Sequence, residues 1–388
     1  MKHDKQRLAL RWINSVAMAA IMSNPAVAAE CVEVLASPKR VLIEETEKAQ
    51  RLNLDFYIEN RSCAKLELQS IQLSVFDRQG RLGFRRDVDG SGGAPAIEVM
   101  GPDREFAPGA KGLTFNPFSE LSRDLELSRL EYRFEFAEPS TDKRIVVTTS
   151  VNPERYSGKT RLKLPLDGRI WVKHGHDFLS SHRRWNPLHP LAVRLFGPTG
   201  NFERYALDLM IVDVDGSVRR GKSSTNEDFY GWGQPVFAAA TGTVVAAHSE
   251  DADDDIATDK TGFDPERLSA TPMHNYGNYV VIDHGRGEFS LVGHLQRQSV
   301  RVKVGQRVRE GQQIGRMGMS GSAEFEPHVH FELRTGTAIR DVEGLPAYFH
   351  EFQRVLGERV VRVRNAPVDA GDIVINAVSR TSAGPEDL

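Results

Sequence analysis

The chain has 388 residues, 40% of them hydrophobic and 27% charged, which is an ordinary composition for globular domains. At about 150 residues per domain, this length predicts two or three domains and excludes a single small scaffold. Lys and Arg number 50 against 53 Asp and Glu, so the net charge of −3 gives no basis for non-specific nucleic-acid binding. The 2 cysteines exclude a disulfide-dense scaffold and a zinc site built from four thiolates.

Residues 1–29 have the pattern of a secretory signal peptide. Lysines and arginines precede an apolar run from Trp12 to Met22, and small residues from Ala26 to Ala29 follow. The run is shorter than the ~20 residues needed to span a bilayer, which favours export over an uncleaved membrane anchor. We therefore predict a periplasmic or secreted protein with no integral membrane segment in the mature chain. Cys31 and Cys63 are interpreted as a disulfide of this exported protein.

Residues 30–164 predict a β-sandwich domain. Apolar residues alternate with polar ones along Leu52 to Ile58, and this period of two is typical of half-buried strands. An immunoglobulin-like sandwich is the simplest fold for such strands. No histidine occurs between Glu30 and Val172. We expect this domain to position or cover a site elsewhere in the chain without contributing reactive residues to it.

Residues 165–345 hold nearly all the histidines and again predict strands and hairpins. Residues 249–276 form an aspartate-rich insert whose spacing does not fit a calcium-binding hand, so a mobile acidic loop is expected. Residues 346–388 are a C-terminal extension with one strand candidate, Arg359 to Val363. The whole chain is predicted to be mainly β. Structural roles are expected for His174, His176, His248, His274 and the hairpin residue His284.

The segment His328-Val329-His330 carries the strongest chemical signal. It lies among β-formers, and side chains at i and i+2 of a strand share a face, so both imidazoles can meet one metal or one substrate. The His-Glu-x-x-His and Gly-x-Ser-x-Gly motifs of other hydrolases are absent from the sequence.

Further motifs surround this pair in a fixed order between Tyr205 and Leu333. They are Gly233-Gln234-Pro235-Val236 with Ala238, Gly242 and Val244; Asn278 to Gly285; Gly293-His294-Leu295; and the glycine-punctuated turn from Val304 to Gly315. Together these motifs resemble the lysostaphin-like zinc metallopeptidases, which cut peptide bonds in bacterial peptidoglycan. The resemblance implies a lysostaphin-like β-sheet peptidase domain over residues 165–345.

The resemblance also implies roles for individual residues. Asp208 and His330 would bind a catalytic zinc, and His294 and His328 would flank the metal-bound water. Catalytic zinc takes three protein ligands and keeps the fourth position for a water whose pKa falls to ~7. The chain would then be a zinc-dependent metalloendopeptidase acting on peptidoglycan peptides, with an envelope protein as a further partner.

One position departs from the family pattern. The family's first zinc-binding histidine lies four residues before the aspartate, where this chain has Arg204, and a cation cannot be a ligand. Either His182 or His189 completes the site, with His182 favoured because its Ser-His-Arg turn resembles divergent relatives. Otherwise zinc is lost, and the domain binds peptidoglycan or activates another cell-wall hydrolase. The retention of Asp208, His294, His328 and His330 favours the enzyme.

Overall fold

The protein is described by a computed structural model that covers residues 31–46, 48–101, 103–141, 143–222 and 224–376. The predicted signal peptide lies outside these residues. The described part is mainly β, as the alternation of apolar and polar residues predicts. Among the described residues, no helix has the length and apolarity to cross a membrane.

The N-terminal part is built from strands that pair in three sheets. Their orders are β1-β4-β8, then β11-β10-β5-β6 with β7 beside β5, and β12-β2-β3-β9. The bounds are β1 Val32–Ser37, β2 Leu42–Glu45, β3 Ala49–Leu52, β4 Asp55–Asn60, β5 Leu66–Phe76, β6 Leu82–Asp89, β7 Glu105–Phe106, β8 Lys111–Phe115, β9 Glu120–Ser122, β10 Arg129–Glu138, β11 Lys143–Val151 and β12 Glu154–Arg155.

One apolar core joins these sheets. The alternating residues Leu52, Leu54, Phe56 and Ile58 are all buried in it, because successive side chains of a strand point to opposite faces. Phe56 packs against Tyr132 of β10 with ring centroids 4.7 Å apart. The β-patterning is therefore observed, while the immunoglobulin-like topology stays a prediction.

The histidine-rich part forms one large sheet and a small one. The large sheet has the order β19-β16-β17-β18-β21-β14-β13-β25-β23-β24, with β22 beside β21, and β15 pairs with β20. The bounds are β13 Gly168–His174, β14 Leu207–Ile211, β15 Pro235–Phe237, β16 Gly242–His248, β17 Asn278–Asp283, β18 Phe289–Leu295, β19 Arg307–Val308, β20 Gln313–Arg316, β21 Val329–Arg334, β22 Gly344–Leu345, β23 Phe349–Leu356, β24 Arg359–Ala366 and β25 Ile373–Asn376.

Helices are short in the described part. Helix α1 is Pro190–Leu195 and α2 is Pro265–Ala270, and each begins with a proline, which suits the first helical turn. Single 3-10 turns cover Ala96–Met100, Asn226–Asp228, Ile256–Thr258 and Pro272–Tyr276.

The C-terminal segment contributes strands β23, β24 and β25 to the large sheet. The predicted strand from Arg359 to Val363 lies within β24, and two further strands, β23 and β25, flank it in the sequence. Strand β25 pairs with β13 and connects β23 and β24 to the strands that hold the histidines. This segment is therefore part of the same sheet.

The insert at residues 249–276 differs from the expected mobile acidic loop. Asp253 Oδ1 accepts the backbone N–H of Met319 at 2.8 Å, and Asp254 Oδ2 accepts that of Phe325 at 2.9 Å. A buried carboxylate that accepts backbone N–H groups is a structural element. The insert is held against the loop that leads into His328 by these bonds.

The predicted disulfide is wrong, because Cys31 and Cys63 are both free. Their segments are neighbours, since Arg61 donates its backbone N–H to the Cys31 carbonyl at 2.8 Å. The turn after β4 is closed instead by Ser62, whose hydroxyl donates to Asn60 Oδ1 at 2.7 Å, and Cys63 is left exposed.

Candidate metal centre

Four neighbouring strands bring the candidate residues together. In the register of the large sheet, Asp208 on β14 lies opposite His330 on β21 and opposite His174 on β13. Gly293 on β18 lies opposite His330, so His294 follows directly beside it. Strand pairing therefore brings residues that are far apart in the chain together in one cluster.

Asp208 lies at the middle of this cluster. Its Oδ2 is 3.0 Å from His182 Nε2, and its Oδ1 is 3.1 Å from His330 Nδ1. One ligand atom from each of these three residues lies within 4.8 Å of the other two. Two imidazoles and one carboxylate form a donor set that catalytic zinc uses, so the residues present fit a zinc ion.

Further carboxylates orient the two imidazoles. His182 Nδ1 lies 3.4 Å from Glu203 Oε2, and His330 Nε2 lies 3.0 Å from Glu332 Oε1. Tyr276 donates its hydroxyl to Glu332 at 2.7 Å. Metal-binding histidines commonly bond a carboxylate through the ring nitrogen that faces away from the metal, which fixes the tautomer. Both candidate ligands are held in this way.

The charges of the cluster are strongly coupled. Burial alone would raise the pKa of Asp208, but His182 and His328, together with hydrogen bonds, hold it well below the usual value. Burial disfavours the charged form of His330, yet its bonds to Asp208 and Glu332 raise its pKa to about 9. Metal ligands must be deprotonated, so a divalent cation competes with these ring protons and binds less well at acidic pH.

His294 and His328 lie beside the three candidate ligands. Their ring centroids are 4.6 Å apart. His294 Nδ1 donates to the Ser320 carbonyl and His328 Nδ1 to the Glu326 carbonyl, both at 2.7 Å. A carbonyl only accepts, so the proton is on Nδ1 and Nε2 is left as the basic nitrogen. Burial lowers the pKa of both histidines, and that of His294 falls well below the usual value.

Both of these histidines are buried, since His294 is 3% exposed and His328 is 6% exposed. An ion pair between Lys173 of β13 and Glu326 ties that strand to the loop just before His328. His294 also adopts a φ of 55°, a left-handed conformation that costs energy and that clusters at functional sites.

Of the two histidines considered for the remaining ligand, the structure brings His182 to the cluster and leaves His189 outside it. His189 precedes helix α1, where its Nδ1 accepts the Leu191 N–H at 3.3 Å. His182 lies in a turn closed by a bond from Arg184 N–H to the Ser181 carbonyl at 3.1 Å.

The turn that carries His182 is anchored to the N-terminal domain. Arg183 Nη1 donates to Asp55 Oδ1 at 2.8 Å, and Nη2 donates to the Leu54 carbonyl at 3.2 Å. Arg204, at the position where the resemblance predicts a ligand, donates to the other oxygen of Asp55 at 2.5 Å and to Glu343 at 2.5 Å. Asp55 thus joins Arg204 to the turn that supplies His182.

The sequence predicts a structural role for His174 and singles out none of the carboxylates behind the imidazoles. His174 Nε2 lies 4.0 Å from Asp208 Oδ2, and its ring centroid is 5.2 Å from that of His182. Only the strand register reveals that His174 lies close to Asp208. Glu332 could have been found, because it follows His330 by two residues on the same strand and shares its face.

Two other histidines have the structural roles expected of them. His176 Nε2 lies 2.6 Å from Glu44 Oε2 of the N-terminal domain, in a buried contact. His284 Nε2 lies 2.8 Å from Ser290 Oγ, and its Nδ1 lies 3.0 Å from the Thr241 carbonyl.

Comparison with known proteins identifies the family of this region. Residues 227–342 match the model of Peptidase family M23. This match confirms the lysostaphin-like recognition for this region of the chain. The matched residues include His294, His328 and His330, whereas Asp208 and His182 precede them.

Three relatives show how far the similarity extends. The murein hydrolase activator EnvC of Escherichia coli (strain K12) is 35% identical over 103 residues, which are 26% of this chain and 20% of EnvC. The peptidoglycan DD-endopeptidase ShyA of Vibrio cholerae serotype O1 is 45% identical over 64 residues, 16% of this chain and 14% of ShyA. The lipoprotein NlpD of Yersinia enterocolitica is 29% identical over 115 residues, 29% of this chain and 92% of NlpD. The chain thus spans only a small part of EnvC and ShyA.

Proposed function

We propose that this protein is a zinc metallopeptidase that hydrolyses peptide bonds in bacterial peptidoglycan by means of a metal-activated water. The observation that carries the proposal is the convergence of His182, Asp208 and His330, whose ligand atoms lie within 4.8 Å of one another. His294 and His328 lie beside them, each with its Nδ1 bonded to a carbonyl, and His328 Nε2 lies 3.5 Å from Asp208 Oδ1. A cluster of this composition suits hydrolysis of an amide bond.

The protein groups have separate tasks in this proposal. Bound zinc would polarise the scissile carbonyl and lower the pKa of its water. Burial keeps His294 and His328 neutral near pH 7, so each Nε2 can accept a proton as a general base. After protonation, the same nitrogen donates a hydrogen bond to the developing oxyanion or a proton to the leaving amine.

The proposal is tested by comparing the protein with an Asp208→Ala, His330→Ala double variant. The parent should bind one more zinc per chain than the double variant and should cleave soluble muropeptides. Equal zinc contents, or no cleavage by a zinc-loaded and folded parent, would contradict the peptidase.

The second candidate is a non-catalytic member of the family that binds peptidoglycan or activates another hydrolase. Two observations support it: Arg204 occupies the usual ligand position, and one relative is named a murein hydrolase activator. In that case the chain would sediment with purified peptidoglycan or stimulate a separate cell-wall hydrolase, while the double variant would behave like the parent.

We further propose that the protein acts in the periplasm or outside the cell. The pattern in residues 1–29 supports export, and relatives that are named for murein hydrolysis are consistent with it. Mass spectrometry of the protein from the native envelope should find a mature N-terminus near Glu30. An N-terminus at Met1 would contradict cleavage.

A further inference from the structure

A second cluster of metal-ligating side chains lies where the acidic insert leaves and rejoins the sheet. His248 ends β16, Asp251 follows it in the insert, and His274 lies in the turn Pro272–Tyr276. His248 Nε2 is 2.8 Å from Asp251 Oδ1, and His274 Nδ1 is 2.7 Å from Asp251 Oδ2. We propose that these three residues bind a divalent transition metal of the zinc class, separate from the candidate peptidase centre.

The chemistry of the cluster matches such an ion. One ligand atom from each residue lies within 4.8 Å of the other two. Imidazole nitrogens with one carboxylate favour zinc or cobalt over calcium or magnesium, which prefer all-oxygen sites. The side chains of His248 and His274 are 25% and 14% exposed, so water can supply a fourth ligand.

The backbone holds Asp251 in place before any metal binds. Its N–H donates to Asn278 Oδ1 at 2.8 Å, and its carbonyl accepts from Asn278 Nδ2 at 2.9 Å. The same amide donates to the Leu295 carbonyl at 3.0 Å, which ties Asp251 to two strands of the sheet. The central ligand is therefore rigid, and metal binding costs little ordering of this residue.

Arg267 of helix α2 competes for the same carboxylate. Its Nη1 lies 2.6 Å from Asp251 Oδ1, but the side chain is 45% exposed and can turn into solvent. A guanidinium so close to a metal repels it, so removing this charge should strengthen binding. The Arg267→Ala variant should bind the metal roughly tenfold more tightly.

Metal binding here would fasten the insert to the sheet. It would join the end of β16 to His274, which lies two residues before Tyr276, and the Tyr276 hydroxyl supports Glu332 behind His330. The proposed ion would therefore have a structural role, because it would fix the insert to the sheet beside the candidate peptidase centre.

The decisive experiment is a titration with Co²⁺ of the Asp208→Ala, His330→Ala protein, in which the first centre is disabled. We expect saturable binding of one cobalt per chain, with visible absorption from a low-coordinate site. Adding His248→Ala and His274→Ala should abolish it, whereas adding His189→Ala instead should leave it intact. Absence of saturable binding in the starting protein, or binding that survives loss of both histidines, overturns the proposal.

A second measurement does not depend on the disabled background. In the otherwise unchanged protein, Zn²⁺ should protect the insert from trypsin, which cleaves after Lys260 and Arg267. The His248→Ala, His274→Ala variant should lose this protection while its far-UV circular dichroism stays the same. If Zn²⁺ protects the variant and the parent equally, the proposed second metal site is refuted, even if the peptidase proposal holds.

Discussion

At the scale of single residues, the proposed exchange of a ligand position is the main feature of the candidate centre. The resemblance predicts a zinc-binding histidine at position 204, but the guanidinium of Arg204 donates to Asp55 and Glu343. His182 approaches Asp208 from a different segment, with Nε2 3.0 Å from the carboxylate. In the proposed zinc site, His182 takes the place of that histidine.

This exchange predicts the effect of removing His182. A three-ligand zinc site that loses one ligand keeps only part of its affinity, so His182→Ala should lose zinc as fully as His330→Ala. The His189→Ala variant is the matched control and should keep its zinc. The zinc content of each variant, measured before and after dialysis, checks this prediction. If His182→Ala keeps as much zinc as the parent protein, another residue is the ligand.

His294 and His328 are expected to act on protons without binding the metal. His294→Ala and His328→Ala should each lose muropeptide cleavage while keeping zinc. Because both rings are buried and bond a carbonyl, each variant should also lose about 1–3 kcal/mol of unfolding free energy. Urea unfolding and metal analysis separate these effects. Cleavage that survives in a folded variant would remove that histidine from the mechanism.

At the scale of elements, the centre depends on close contact between the insert and the loop before β21. Gly277 ends the insert with a φ of 58°, and a Cβ at this position would lie 2.3 Å from the Ser320 carbonyl carbon. Ser320 is also the residue whose carbonyl holds His294. A glycine is required here both by the backbone conformation and by the lack of space.

A pair of glycine variants separates these two requirements. Gly285 has a φ of 81° with open space around it, so Gly285→Ala adds only conformational strain of about 1 kcal/mol. Gly277→Ala adds backbone strain at a φ of 58° and ψ of −120° together with a clash, so it should cost roughly 1–3 kcal/mol more than Gly285→Ala and displace His294. Chemical unfolding and cleavage rates measure both effects. Equal losses in the two variants would show that the contact at Ser320 adjusts freely.

At the scale of the whole molecule, the N-terminal domain is part of the framework of the centre. Leu42 of β2 packs into the core of the large sheet, and Glu44 accepts a bond from Tyr348 at 3.1 Å. Asp55 pairs with two buried arginines, one of them adjacent to His182. The sequence predicted a domain that positions or covers a site elsewhere in the chain, and these contacts favour positioning.

The role of Asp55 can be tested directly. Asp55→Ala leaves Arg183 and Arg204 without their shared carboxylate, and breaking a buried ion pair from one side costs about 3–5 kcal/mol. The turn that holds His182 should loosen, so zinc affinity should fall together with stability. Glu120→Ala removes an exposed ion pair with Arg51 and should change stability by about 1 kcal/mol at most. Unchanged zinc affinity in Asp55→Ala would show that the turn is held independently.

Features that depend only on residues close together in the chain could be predicted from the sequence. Alternation along Leu52 to Ile58 predicted a strand, and the spacing of His328 and His330 put two imidazoles on one face, because a period of two is a local property of a strand. The ordered motifs around His294 predicted the family through their resemblance to known sequences, and the match to the M23 model confirms that prediction.

The tertiary structure alone decided how distant segments meet. Asp55 pairs with Arg204, which lies 149 positions further along the chain. Asp253 and Asp254 of the insert accept hydrogen bonds from the backbone of Met319 and Phe325. His174 comes close to Asp208 only because β13 pairs with β14 in one register. Strand order and register are set by the packing of the entire core, and no local spacing records them.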